Sequence, residues 1–103
     1  MVERRNTRRL MMPFEVRWDG ILGDHAARLI DISLGGCYIE SINQMAVGQP
    51  IRFEVSLPTG EWVTLHGQVA YTHPNVGFGV CFTELSTYEQ DKLEQLMSYA
   101  LRT

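Results

Sequence analysis

Residues 50–57 read PIRFEVSL and residues 62–72 read WVTLHGQVAYT, with Pro58-Thr59-Gly60 between them. In the first segment Ile51, Phe53, Val55 and Leu57 alternate with polar or charged neighbours. That is the period of a strand with one buried face. Proline and glycine in the linker favour a tight turn, so the second segment should fold back beside the first. Its expected inward face is Val63, Leu65, Val69 and Tyr71.

Working outward, the same pattern recurs. Phe14, Val16 and Trp18 alternate with Glu15 and Arg17 in Pro13 to Trp18, and Asp19-Gly20 then marks a turn. His25 to Ile32 and Cys37 to Glu40 read as strands on either side of the turn-rich segment Ser33-Leu34-Gly35-Gly36. Val76, Phe78, Val80 and Phe82 supply one more. Six short strands without intervening helices predict an all-β, antiparallel architecture. Gly67, Gly77 and Gly79 lie inside strand patterns, where glycine permits the bulges and sharp coiling of a small closed barrel. The period changes near the end: Leu93, Leu96, Met97 and Ala100 share one face of a helix, and Ser86 with Glu89 forms a capping box at its start. The expectation is a six-stranded antiparallel β-barrel over residues 13–85, closed at one end by a C-terminal helix over residues 86–103.

Composition suits a single folded domain: 103 residues, 45% apolar and 20% charged. Nothing resembles a signal h-region or a membrane span. With Cys37 and Cys81 as lone cysteines, a reducing, cytoplasmic setting is expected, and both read as small core hydrophobes. The net charge of −3 conceals an asymmetry. Residues 1–9 hold Arg4, Arg5, Arg8 and Arg9 against Glu3, whereas residues 10–103 hold five basic and eleven acidic residues. Such an acidic body disfavours nucleic-acid binding. His25, His66 and His73 lack the spacing of a zinc site, and there is neither a nucleophile elbow nor a phosphate-binding loop, so no catalytic residue, metal or cofactor is expected.

Two motifs remain. The arginine cluster contains the spacing RxxxR twice, as Arg4 with Arg8 and as Arg5 with Arg9, and Asp31-Ile32-Ser33-Leu34-Gly35-Gly36 fits DxSxxG at the end of a strand. Each alone is ordinary, since basic tails are often solvated and Asp and Ser commonly end strands through local backbone bonds. Together, ahead of a β-rich chain that ends in a helix, they resemble the PilZ domain family over essentially the whole chain. The runs DISLGGCYIE (Asp31 to Glu40) and VGFGVCF (Val76 to Phe82) strengthen the resemblance.

That resemblance implies a receptor for cyclic di-GMP that signals through an effector protein. Its site would comprise Arg4, Arg5, Arg8 and Arg9 in a flexible arm, residues 1–12, with Asp31, Ser33, Gly35 and Gly36 on the barrel. Spacing to the first strand in family members favours Arg5 and Arg9 as the pair, with Arg4 and Arg8 as auxiliary contacts. The side-chain chemistry agrees. Arginine can bond bidentately to phosphate or to guanine O6 and N7 and can stack on a purine. An ionised Asp31 accepts from guanine N1 and N2, Ser33 adds a hydroxyl, and Gly36 permits close approach to the backbone. The arm is expected to order when the ligand binds. Two alternatives stay open: a PilZ-like interaction module that binds no nucleotide, and a small barrel that binds single-stranded nucleic acid with Trp18 or Trp62 as stacking platforms.

Overall fold

The computed structural model describes the backbone of residues 10–18, 27–43 and 45–101, and the side chains of residues 14–18, 27–43 and 45–99. The four arginines of the N-terminal arm, the Asp19-Gly20 turn and His25 lie outside the described residues.

The strands are β1 (Leu10–Trp18), β2 (Ala27–Ile32), β3 (Gly36–Glu40), β4 (Pro50–Ser56), β5 (Trp62–His73) and β6 (Gly77–Phe82), and the helix α1 (Thr87–Leu101) completes the chain order. They close into an antiparallel barrel in the order β1-β2-β3-β6-β5-β4. The two alternating segments on either side of Pro58-Thr59-Gly60 form the hairpin β4–β5, paired from Pro50↔Gln68 to Ser56↔Trp62. The barrel closes where β1 meets β4, along a seam that spans only Val16–Trp18.

The core is filled by the alternating residues: Phe14, Val16, Leu29, Ile32, Ile39, Phe53, Val55, Val63, Leu65, Val69, Phe78 and Val80 are all buried. Leu93 and Leu96 of α1 join the same cluster, with Met97 packed against it, and α1 lies against β1 and β5. Its N-terminus is built as the Ser86/Glu89 spacing predicts. Glu89 N–H donates to Ser86 Oγ at 3.1 Å, and Ser86 N–H donates to Glu89 Oε1 at 2.9 Å. The other carboxylate oxygen, Oε2, meets His66 Nδ1 of β5 at 2.5 Å, so one side chain both caps the helix and ties it to the barrel. Burial opposes ionisation of Glu89, yet the Ser86 N–H and the His66 contact outweigh it and hold the carboxyl below the usual glutamate range.

Three sequence expectations need correction. Cys37 is buried, but Cys81 is exposed, because it alternates with the inward-facing Val80 and strand geometry overrides the cysteine's apolar character. Tyr71 does not share the inward face of Val63, Leu65 and Val69. The β5–β6 register passes from Val69↔Val80 to Tyr71↔Gly79, so Ala70 is an extra residue that turns Tyr71 outward, 43% exposed. Nor do the strand glycines make the bulges. Register shifts fall between Met11 and Phe14, between Leu29 and Asp31, and between Val69 and Tyr71. Gly67, Gly77 and Gly79 serve close approach instead; a Cβ on Gly67 would come within 2.5 Å of the Cys81 carbonyl oxygen.

Candidate functional site

The DxSxxG segment forms the β2–β3 turn, and its backbone closes on itself through Ser33 N–H donating to the Gly36 carbonyl at 2.8 Å. Ser33 is buried, and its hydroxyl is used inside the turn: Oγ donates to Gly36 O and accepts from Gly35 N–H, each at 3.3 Å. Gly36 is fixed by packing, since any Cβ there would collide with the Val80 carbonyl of β6. Leu34 and Gly35 form the exposed tip, and nothing lies within 4 Å of the space a Gly35 Cβ would take. The Gly35 carbonyl accepts from Phe82 N–H at 3.0 Å, tying the tip to the end of β6.

Asp31 stands half-buried at the head of this turn, and the bulge at Ile30 sets its position. The β2–β3 register steps from Leu29↔Ile39 to Asp31↔Tyr38, which brings Asp31 opposite an outward-facing tyrosine. The row continues across the barrel wall, Tyr38↔Gly79 and then Gly79↔Tyr71. Asp31, Tyr38, Gly79 and Tyr71 thus come from four strands and share one transverse line. Because Gly79 has no side chain, the Tyr71 ring lies down over its backbone, and the Tyr38 ring does the same over Gly77. The two rings stack at 6.1 Å between centroids, with 28° between planes. His73 closes the group, with Nδ1 3.0 Å from the Tyr38 hydroxyl and its ring 5.4 Å from that of Tyr71. The Tyr38 phenol is pushed up from its ordinary value by burial first, then by the neighbouring Tyr71, Glu40 and Asp31. The Tyr38 phenol is therefore neutral at physiological pH, and its ring stands in the row beside Asp31.

The arm's point of departure is also fixed. Leu10, the first residue of β1, pairs with Ile32, and Met11 pairs with Asp31. Arg9 therefore precedes a residue that sits beside the start of the DxSxxG turn. The structure brings Asp31, Ser33, Gly35 and Gly36 together there, while Arg4, Arg5, Arg8 and Arg9 lie outside the described residues. Sequence reading missed Tyr38, Tyr71, His73 and Gly79, because a row across four strands has no signature along the chain.

Trp18 and Trp62 have other employment. Trp18 meets Phe78 edge-on at 6.0 Å, and the Arg17 guanidinium sits 3.7 Å from the Trp62 ring centroid. Among the described residues, no three of His, Cys, Asp and Glu converge in a way that would hold a metal ion, and no helix is long and apolar enough to cross a membrane.

Fold and site together define a small closed β-barrel module that gathers its polar turn and aromatic rings on the outer wall, not in a lumen. The chain belongs to the PilZ domain family, whose model matches residues 3–99. A search of curated proteins finds no match. Among solved structures, the PilZ domain of Escherichia coli YcgR with c-di-GMP aligns with a TM-score of 0.77 and 16% identity, covering 97% of this chain and 93% of that one. The Bacillus subtilis inhibitor of motility, MotI/DgrA, aligns with a TM-score of 0.74 and 17% identity over 98% of this chain, which spans only 51% of the other. The PilZ domain of CeSA from a cellulose-synthesizing bacterium gives a TM-score of 0.67 and 15% identity over 94% of this chain and 100% of that one.

Proposed function

We propose that this protein is a cytoplasmic receptor for cyclic di-GMP, without catalytic activity of its own, that acts through an effector protein. The observation that carries the reading is the register: Asp31 and two stacked tyrosines share one row of the outer wall, and the arginine-bearing terminus leaves β1 beside them. Asp31 accepts from guanine N1 and N2, and Tyr71, half exposed and flat, offers its face to a base. Arg5 and Arg9, aided by Arg4 and Arg8, take the phosphates and the guanine Hoogsteen edge. Ser33 acts by shaping the turn, since its hydroxyl is buried within it. Family membership and the fold shared with the ligand-bound YcgR domain support the assignment.

On this reading the arm is the switch. Four like charges in nine residues repel one another until two ligand phosphates neutralise them, and arm and ligand then settle on the barrel together. A partner reads the covered surface. The non-binding alternative is disfavoured by the intact RxxxR and DxSxxG motifs. The single-stranded nucleic-acid reading is disfavoured because Trp18 packs edge-on against Phe78 and the Arg17 guanidinium occupies a face of Trp62. Isothermal titration with cyclic di-GMP tests the function, with oligonucleotide gel shifts in parallel. Binding of the dinucleotide but not of oligonucleotides is expected; the converse would replace this reading with the nucleic-acid one. Hydrogen exchange of residues 2–9, which precede β1, tests the switch, with a gain in protection expected when the ligand binds.

A further inference from the structure

A groove of about 350 Å³ runs between the tip of the DxSxxG turn and α1. Its lining mixes the apolar side chains Leu34, Phe82, Leu85 and Leu93 with the polar residues Glu84, Gln90 and Glu94. Among the described residues no lysine or arginine lines it, and neither carboxylate is ion-paired. Basic side chains of the barrel and helix are engaged elsewhere: Arg17 with Glu54, Arg28 with Glu40 and Lys92 with Glu61.

The groove also has a neighbour of complementary chemistry. The chain enters β1 at Leu10, opposite Ile32 and two residues from Leu34, and α1 packs against β1. Arg9 and Arg8 immediately precede Leu10, so at about 3.5 Å per residue they are held within about 7 Å of chain from that point. An arginine needs an apolar bed for its stem and a carboxylate for its head, and this groove supplies both.

We propose that the groove is the resting dock of the chain's own N-terminal arm, with Glu84 and Glu94 pairing arm arginines when no nucleotide is bound. The dock competes with the ligand for the same guanidinium groups. It sets the apparent affinity of the receptor, which is the intrinsic affinity reduced by the fraction of arm held in the groove. This consequence for affinity rests on the cyclic di-GMP reading; the docking itself does not.

The test uses the full chain, labelled with ¹⁵N, at low ionic strength and without nucleotide. Replacing Arg4, Arg5, Arg8 and Arg9 together with Gln leaves the barrel untouched and should shift the amides of Leu34, Glu84, Leu85 and Glu94. About 1 M sodium chloride, where the screening length is about 3 Å, should move the wild-type amides the same way. Shifts confined to residues 10–12 and 32–33 would overturn the proposal. Titration of Glu84→Gln/Glu94→Gln with cyclic di-GMP should then show affinity raised by about three- to tenfold; unchanged or weaker affinity also overturns it. If wild-type protein binds no cyclic di-GMP while the amide shifts appear as expected, the functional reading fails and the dock stands.

Discussion

Gly36 and Gly79 lack side chains for different reasons, and alanine separates them. At Gly36 the obstacle is the Val80 carbonyl, which is backbone in a closed barrel and cannot yield. Gly36→Ala should therefore destabilise the fold by about 1–3 kcal/mol, visible as a lower midpoint in urea. At Gly79 the obstacle is the Tyr71 ring, the end of a side chain that can swing away. Gly79→Ala should leave the midpoint nearly unchanged while lifting the ring, so cyclic di-GMP affinity falls and stability does not. Tyr71→Ala should lose about 1–3 kcal/mol of binding, the usual worth of a base–aromatic stack. Full affinity in both variants would remove the aromatic row from the site.

Among the elements, α1 depends most on one residue. Glu89→Ala removes the cap and the tie to His66 together and should cost about 1.5–3 kcal/mol, measured by thermal or urea melts. The sign of the pH dependence comes from a carboxyl held below its ordinary value in the folded protein. Its contribution is complete above the unfolded value of about 4.3 and is lost as pH falls through the lower folded value. The gap in Tm between wild type and Glu89→Gln should narrow as pH drops below that range; a constant gap would mean that the carboxylate's charge plays no part. All six strands, the helix and its cap are legible in the sequence, because alternation and the Ser86/Glu89 spacing are local. The bulges are not. Ala70 and Ile30 look like any other strand residues, yet each shifts the pairing of the residues after it by one, and simple alternation therefore puts Tyr71 on the wrong face.

For the whole molecule, the motif half of the candidate site is legible along the chain, whereas the aromatic half is assembled only by closure of the barrel. The complete site predicts that Arg5→Ala, Arg9→Ala and Asp31→Ala each weaken cyclic di-GMP binding by about 1.5–3 kcal/mol, or roughly ten- to a hundredfold by calorimetry. Unchanged affinity in all three would place the site elsewhere. Cyclic di-AMP should bind far more weakly, because adenine sets an unprotonated N1 against Asp31 and an amino group against the arginines. Equal competition by the two dinucleotides would remove Asp31 from base recognition.

The short seam between β1 and β4 has a consequence for how the chain behaves when α1 is lost. Among the described residues, none of β1 beyond Val16–Trp18 pairs with β4, so the stretch from Leu10 to Glu15 presents an open ladder on that side. An open ladder is a template for a strand from another molecule, and natural barrels suppress this by closure or by covering the edge. α1 packs on β1, so its removal is expected to uncover more of this strand and to favour edge-to-edge self-assembly. A chain ended before Ser86 should form oligomers that grow with concentration in light scattering. If it remains monomeric, the seam protects itself.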